Sequence, residues 1–337
     1  IVWYVDDNKI SHQSYDVNTE TIRAIESHFG AMTITRGDEH EFLGMKLRFD
    51  RKQRTVRVSM KSYIEEAICS FEETGEKVSH SVRTPAAKNL FTRYDDEVEL
   101  NEKTAAIFHS VTAKLLYVAT RARADVLLPV AFLCTRVRDS TDADWRKLKR
   151  VLGFLYGTID DELVLGAKNL HQLFTWVDAA YAVHDDFKSH TGGTMSMGIG
   201  TFCNKSSKQK LNTKSSTEAE VVGASDYLTF TIWMRNFLRC QGIELDENIF
   251  YQDNQSAMRI EKNGIKSVGQ KSKHIHCRYF FVKDRIENDK IKIEYCPTSV
   301  MIADFFTKPL QGNLFHRLRA VILGHAPIDS LTAPTHV

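Results

Sequence analysis

Residues 217–238, from Thr217 to Leu238, have the spacing of a helix that is apolar nearly all the way round. Such a helix needs cover on more than one side, so it belongs inside a layered domain. Its neighbours can supply that cover. Strand-like runs precede it at Leu163 to Leu165, Leu173 to Val177 and Thr194 to Gly200. A strand, two helical stretches, another strand and a last helix follow. This order predicts an α/β (α+β) architecture, and the change of rhythm near residue 161 predicts a separate domain from there.

The preceding part reads differently. The run Ile1-Val2-Trp3-Tyr4-Val5 ends in two adjacent carboxylates, Asp6 and Asp7. Taken alone they suit an exposed hairpin turn, a setting Asp and Asn favour. Asn18 to Phe29 has helical spacing, and Gly30 sits where a helix stop is wanted. Phe42 to Phe49 and Thr55 to Met60 alternate as strands around a turn at Asp50 to Arg54. Met60 to Phe71 predicts a helix with Ile64, Ala67, Ile68 and Phe71 on one stripe. Residues 74–106 are polar and irregular and read as a linker. Ile107 to Thr120 and Trp145 to Leu155 read as helices. The second carries Arg146, Lys147, Lys149 and Arg150, a face that suits solvent or a phosphate backbone alike.

The 337 residues are enough for two or three domains. A 42% hydrophobic and 26% charged composition is that of a soluble globular protein. A net charge of +2 does not announce nucleic-acid binding, which would have to come from local basic patches. Cys69, Cys134, Cys203, Cys240, Cys277 and Cys296 are scattered without a Cys-x-x-Cys pair, which predicts reduced, intracellular thiols rather than a disulfide frame. The apolar run Val126 to Cys134 contains Pro129 and is too short to span a bilayer, so no membrane partner is expected.

Several short motifs then follow in order. They are Tyr4-Val5-Asp6-Asp7, Phe42-Leu43-Gly44-Met45, Tyr63-Ile64 with Thr84-Pro85, and Leu116-Tyr117-Val118-Ala119-Thr120-Arg121. Ser215-Ser216-Thr217-Glu218-Ala219-Glu220, Asp253-Asn254-Gln255-Ser256-Ala257 and Ala303-Asp304-Phe305-Phe306-Thr307-Lys308-Pro309-Leu310 complete the series. In this order the chain resembles the C-terminal half of a copia-type retrotransposon polyprotein, nearly end to end. The resemblance implies the end of a reverse transcriptase palm over 1–60, with a primer-grip-like hairpin, and a thumb and connection over 61–160. It implies a ribonuclease-H-like mixed-sheet domain over 161–320 and a tail over 321–337.

The implied reaction is hydrolysis of RNA in RNA–DNA hybrids with two Mg2+ or Mn2+ ions. The implied partners are the hybrid, an RNA template, a DNA primer and the remainder of the polyprotein. The implied location is intracellular, cytoplasmic in a virus-like particle or nuclear. Asp6 and Asp7 match the polymerase aspartate pair and would be metal ligands. The third Asp of such a site belongs to a strand well upstream, so the polymerase site is expected to be incomplete here. The rival from another class is a decayed or co-opted fragment that binds nucleic acid without turnover. A transposase or integrase on the same fold is disfavoured by the Ser-Ser-Thr-Glu-Ala-Glu and Ala-Asp-Phe-Phe-Thr-Lys signatures.

Within the ribonuclease H signatures the candidate catalytic and metal-ligating acids are Asp178, Glu218, Asp253 and Asp304. Two ions about 4 Å apart would activate water and steady the leaving oxygen. Magnesium is a hard cation, and dispersed carboxylates without His or Cys suit it. Each acid also has a plain structural use. Ser215 to Glu218 is a well-formed capping box. Asp253 and Asp304 could cap helices, with Asp304 beginning the last one, and Asp178 could end a strand in a turn. Two departures from the family stand out. Ala179-Ala180-Tyr181 follows Asp178 where Ala-Asp-Trp is usual, and Pro297-Thr298-Ser299 offers no His before Asp304. His274 and His276 read as the polar face of a helix. Lys205, Lys208, Lys210 and Lys214 form one basic stretch, and Lys262, Lys266, Lys271 and Lys273 another. They suit phosphate tracking and a solubilising loop equally. Trp176 and Trp233 are expected in the core.

Overall fold

The computed structural model describes residues 1–94, 96–263 and 273–331. It has the expected mixed α/β character, with three sheets among the described residues. β1 (Val2–Tyr4) and β2 (Asp7–Lys9) form a small hairpin, and α1 (Tyr15–Phe29) ends at Gly30. β3 (Glu39–Phe42), β4 (Met45–Asp50) and β5 (Thr55–Ser59) are an antiparallel meander. The sequence reads Phe42 to Phe49 as one strand, but the chain turns at Leu43-Gly44. Both residues have left-handed φ, 52° and 71°. A two-residue turn of this kind matches the twist of its strands. The Tyr117 hydroxyl holds the turn, donating to the Leu43 carbonyl at 2.8 Å.

α2 (Lys61–Glu72) buries Ile64, Ala67, Ile68 and Phe71, the stripe its spacing predicts. α3 (Glu102–Arg121), α4 (Leu127–Cys134) and α5 (Asp142–Gly157) pack with it in one core. The basic face of α5 is mostly used internally. Lys149 pairs with Glu76 at 2.5 Å, Lys147 donates to the Thr92 carbonyl at 3.1 Å, and Arg150 donates to the Thr84 carbonyl at 2.9 Å. Only Arg146 of the four stays largely exposed, paired with Asp142. Residues 76–92, read as linker, are therefore strapped onto the helix. Gly153 and Gly157 permit the close approach, since a Cβ there would meet the Ser79 and His80 carbonyl oxygens at 2.5 and 2.6 Å.

Packing crosses the expected boundary at 160. β6 (Leu163–Ala167) pairs with β5, and β9 (Gly198–Ile199) pairs with β6, completing the first sheet. The second sheet holds β7 (Gln172–Ala180), β8 (His190–Ser196), β10 (Phe202–Lys208), β11 (Glu247–Gln252) and β12 (Lys292–Tyr295). Its order is β10-β8-β7-β11-β12. The first three strands are antiparallel, and β7, β11 and β12 are parallel. Helices α6 (Ser216–Cys240), α7 (Gln255–Asn263) and α8 (Lys273–Asn288) belong to this half. Strand alternation divides the side chains of β7. Leu173 and Val177 join Tyr227, Leu228 and Val282 in one core, while Trp176 joins the helical core with α9 (Gly312–Ile322).

Two expectations are corrected by this packing. α6 is not covered all round, because Phe230, Trp233 and Phe237 face outward. Trp233 is 57% exposed and stacks on Phe237, so it is not a core residue. The expected tail begins inside the core, since Val321, Ile322 and Leu323 are buried and the Leu323 carbonyl accepts from the Val164 amide. Residues 332–337 lie outside the described ones. No helix among the described residues is long and apolar enough to cross a membrane.

Candidate metal centre

β7 and β11 are parallel neighbours, and they bring two acids to the same end of the second sheet. Asp178 lies within β7, and Asp253 directly follows β11. Asp304 arrives on a 3-10 turn, Ile302–Phe306, rather than at the start of the last helix. Carboxylate oxygens of Asp178, Asp253 and Asp304 lie within 4.8 Å of one another. The turn reaches the sheet because Gly192 is the cross-strand partner of Asp178. A Cβ on Gly192 would stand 2.7 Å from the Thr307 methyl and 2.8 Å from Phe306 Cβ. Any larger residue would push Asp304 away from Asp178. Thr307 then donates its hydroxyl to Asp178, and Lys308 Nζ lies 2.7 Å from Asp304 Oδ1 and 3.5 Å from Asp178 Oδ1.

Like charges this close, in a buried setting, resist ionising together. Burial and the Asp178 charge push the Asp304 carboxyl up to about 7, although Lys308 acts against them. Burial and Asp178 also raise Asp253. The neighbouring Cys296 thiol is pushed up to about 12 by burial and by Asp253 and Asp304, so it stays protonated and the donor set is oxygen.

Glu218 is not part of this group. It sits half-buried in the first turn of α6, where its amide donates to the Ser215 hydroxyl and its carboxylate accepts from the Lys214 amide at 2.7 Å. The capping role is the better account of it. The acid that faces the cluster is Glu220, two residues on and 5% exposed. Burial and the charges of Asp178 and Asp253 raise its carboxyl well above the ordinary range, and its Oε2 has no hydrogen-bond partner. A signal for it was present. On a helix, Glu220 shares a face with Gly223, Ala224, Tyr227 and Thr231, all buried, whereas Glu218 is taken up by the cap. An all-oxygen set with one orphaned buried carboxylate oxygen fits a hard divalent cation.

Asp6 and Asp7 stand exposed at the β1–β2 hairpin, and among the described residues no third acid, His or Cys clusters with them. Lys205, Lys208 and Lys210 line an open groove of about 780 Å³ with Phe230 and Arg278. Lys205 Nζ lies 5.1 Å from the Phe230 ring centre, and Lys208 pairs with Asp186 at 2.9 Å. Lys210 and Lys214 are exposed. Lys266 and Lys271 lie outside the described residues, as do the side chains of Lys273, His274 and His276.

No protein-family model matches the chain. It is 26% identical over 331 residues to the retrovirus-related Pol polyprotein from transposon TNT 1-94 of Nicotiana tabacum, covering 97% of this chain and 24% of that protein. It is 28% identical over 314 residues to the counterpart from transposon RE2 of Arabidopsis thaliana, covering 93% and 21%. The transposon Ty1-DR1 Gag-Pol polyprotein of Saccharomyces cerevisiae is 20% identical over 334 residues, covering 94% and 19%. The chain thus spans about a quarter or less of the length of these relatives. Among solved structures, the foamy viral protease-reverse transcriptase in complex with an RNA/DNA hybrid is similar at a TM-score of 0.44 and 12% identity, covering 82% of this chain and 31% of that one. Along nearly its whole length, the chain is similar to one segment of the retrovirus-related Pol polyproteins of copia-type transposons.

Proposed function

We propose that the second sheet carries a ribonuclease H centre that hydrolyses the RNA strand of RNA–DNA hybrids. The observation that supports this most is the convergence of Asp178, Asp253 and Asp304 within 4.8 Å, beside buried Glu220. Asp178, Asp253, Asp304 and Glu220 would hold divalent ions, two Mg2+ or Mn2+ in the full reading. Bound there, such ions supply a Lewis acid for water activation and a counter-charge for the leaving oxygen. The chain itself supplies the frame. β7 and β11 fix two acids, Gly192 admits the turn bearing the third, and Thr307 holds the Asp178 carboxylate through its hydroxyl. Lys210 and Lys214 are proposed to meet phosphates, and Lys208 to do so once released from Asp186. Asp6 and Asp7 belong, in this reading, to a polymerase site, and no third acid clusters with them among the described residues.

The test is a paired assay on the full chain with Mg2+ or Mn2+. Wild type should cut RNA within a hybrid and spare double-stranded DNA. Asp253→Asn should bind the hybrid as well but not cut it, because the amide keeps the shape and loses the charge. Equal cleavage by the two proteins would remove Asp253 from the centre. Binding without cleavage by either would favour a nucleic-acid-binding fragment without turnover.

A further inference from the structure

Lys308 is the cation in contact with the acid cluster among the described residues. Its ammonium touches Asp304 Oδ1 at 2.7 Å and lies 3.5 Å from Asp178 Oδ1. Those carboxylates are two of the three that would hold a divalent ion. An ammonium and a metal ion cannot both sit against them. Each needs the oxygen lone pairs, and at such separations their like charges repel strongly in a poorly screened site. The lysine is also placed there by its neighbours. Thr307 is tied to Asp178, and the Lys308 amide donates to the Asp304 carbonyl at 2.9 Å, so the side chain starts beside the cluster. Yet that side chain is 40% exposed, while the side chains of Asp178 and Asp304 are 2% and 4% exposed. It therefore has room to swing outward on a flexible stem, and the acids do not.

We propose that Lys308 is a built-in counter-ion, which competes with the divalent cation for Asp178 and Asp304 and thereby sets the metal affinity of the centre. This rests on the metal-binding reading of the cluster. Without metal the ammonium keeps the acids from repelling one another apart. Metal entry displaces it to the rim. Lys308 is thus a positioning residue for the centre, and its removal should tighten metal binding rather than weaken it.

Calorimetric titration of Mn2+ into the full chain tests this. Lys308→Met should bind Mn2+ about tenfold tighter than wild type or more, since one competing unit charge is gone. Lys308→Arg keeps the charge and should stay near wild type. A second measurement needs no variant. Labelling of Lys308 by an amine-reactive reagent, followed by mass spectrometry of the wild-type chain, should rise when Mn2+ is added. Wild-type binding with no gain in Lys308→Met, or labelling that does not change with Mn2+, would overturn the counter-ion role and leave the metal centre standing. No Mn2+ binding by either protein would overturn both.

Discussion

Asp125 and Asp304 are both buried aspartates, 1% and 3% exposed, and they behave in opposite ways. Asp125 takes two bonds from Arg123, at 2.9 and 2.8 Å, and a third from Arg319 at 2.8 Å. Against the cost of burial, these guanidiniums hold its carboxyl down at about 2. Asp304 has one ammonium and two carboxylates near it, and its carboxyl rises to about 7. Burial is shared, so compensation makes the difference. A buried charge is tolerated when paired and costly when not. With Asp161, which Arg319 also meets at 2.5 Å, the Arg123–Asp125–Arg319 network sets two guanidiniums against two carboxylates and joins α9 to the turn before α4, a structural task. The acid cluster is left short of positive charge, as a cation-binding centre has to be.

The comparison breaks most visibly through stability. Arg123→Met strips Asp125 of its bidentate partner and should cost about 3–5 kcal/mol, read by chemical denaturation. Metal affinity of any folded fraction should not change. If Arg123→Met proves as stable as wild type, Asp125 is not held by compensation and the contrast fails. The mirror case is Asp253→Asn. It should lower hybrid cleavage on the order of 100-fold or more, with a melting temperature equal to or above that of wild type, because one of the repelling carboxylates is gone.

The two sites also bend the pH profile in opposite directions. A lowered pKa stabilises the fold above the unfolded value and loses that contribution as pH falls. For Asp125 the loss should run from about pH 4 down to 2. A raised pKa stabilises at low pH and loses that contribution as pH rises. For Asp304 in the metal-free protein the loss should run from about pH 4 up to 7. Melts across pH 3–8, on wild type and Asp304→Asn, should show the second slope vanish in the variant. Mn2+ affinity should climb between pH 6 and 8 by up to about tenfold per unit, as protons leave the cluster. A flat affinity over that range would exclude Asp304 as a shared proton and metal site.

The finest distinction is between two glutamates a helical half-turn apart. Glu220→Gln should alter Mn2+ affinity, and Glu218→Ala should leave it unchanged while slightly lowering the melting temperature through the lost cap. The reverse pattern would restore Glu218 to the centre.

The sequence made the strands, the acids and most helices legible because their signals are local. The stripe on α2 and the strand before Asp253 follow from periodicity alone. What it hid depends on contacts between distant segments. The basic face of α5 looked like a surface because Glu76, Thr84 and Thr92 lie far from it in sequence, and Gly153 and Gly157 carry no side chain to advertise the strap they admit. Gly192 hid the approach of the Asp304 turn for the same reason. β6 read as the start of a new domain because pairing with β5 leaves no local mark. Glu218 and Glu220 stand in one short motif, and the capping box and the buried register of α6 together single out Glu220.

Anomalous diffraction from crystals soaked in Mn2+ decides whether the uncompensated acids hold a divalent ion. The expected result is a peak within bonding distance of Asp178, Asp253 and Asp304, with Lys308 moved off Asp304. A well-ordered acid cluster with no peak in millimolar Mn2+, and Lys308 still bonded to Asp304, would contradict it.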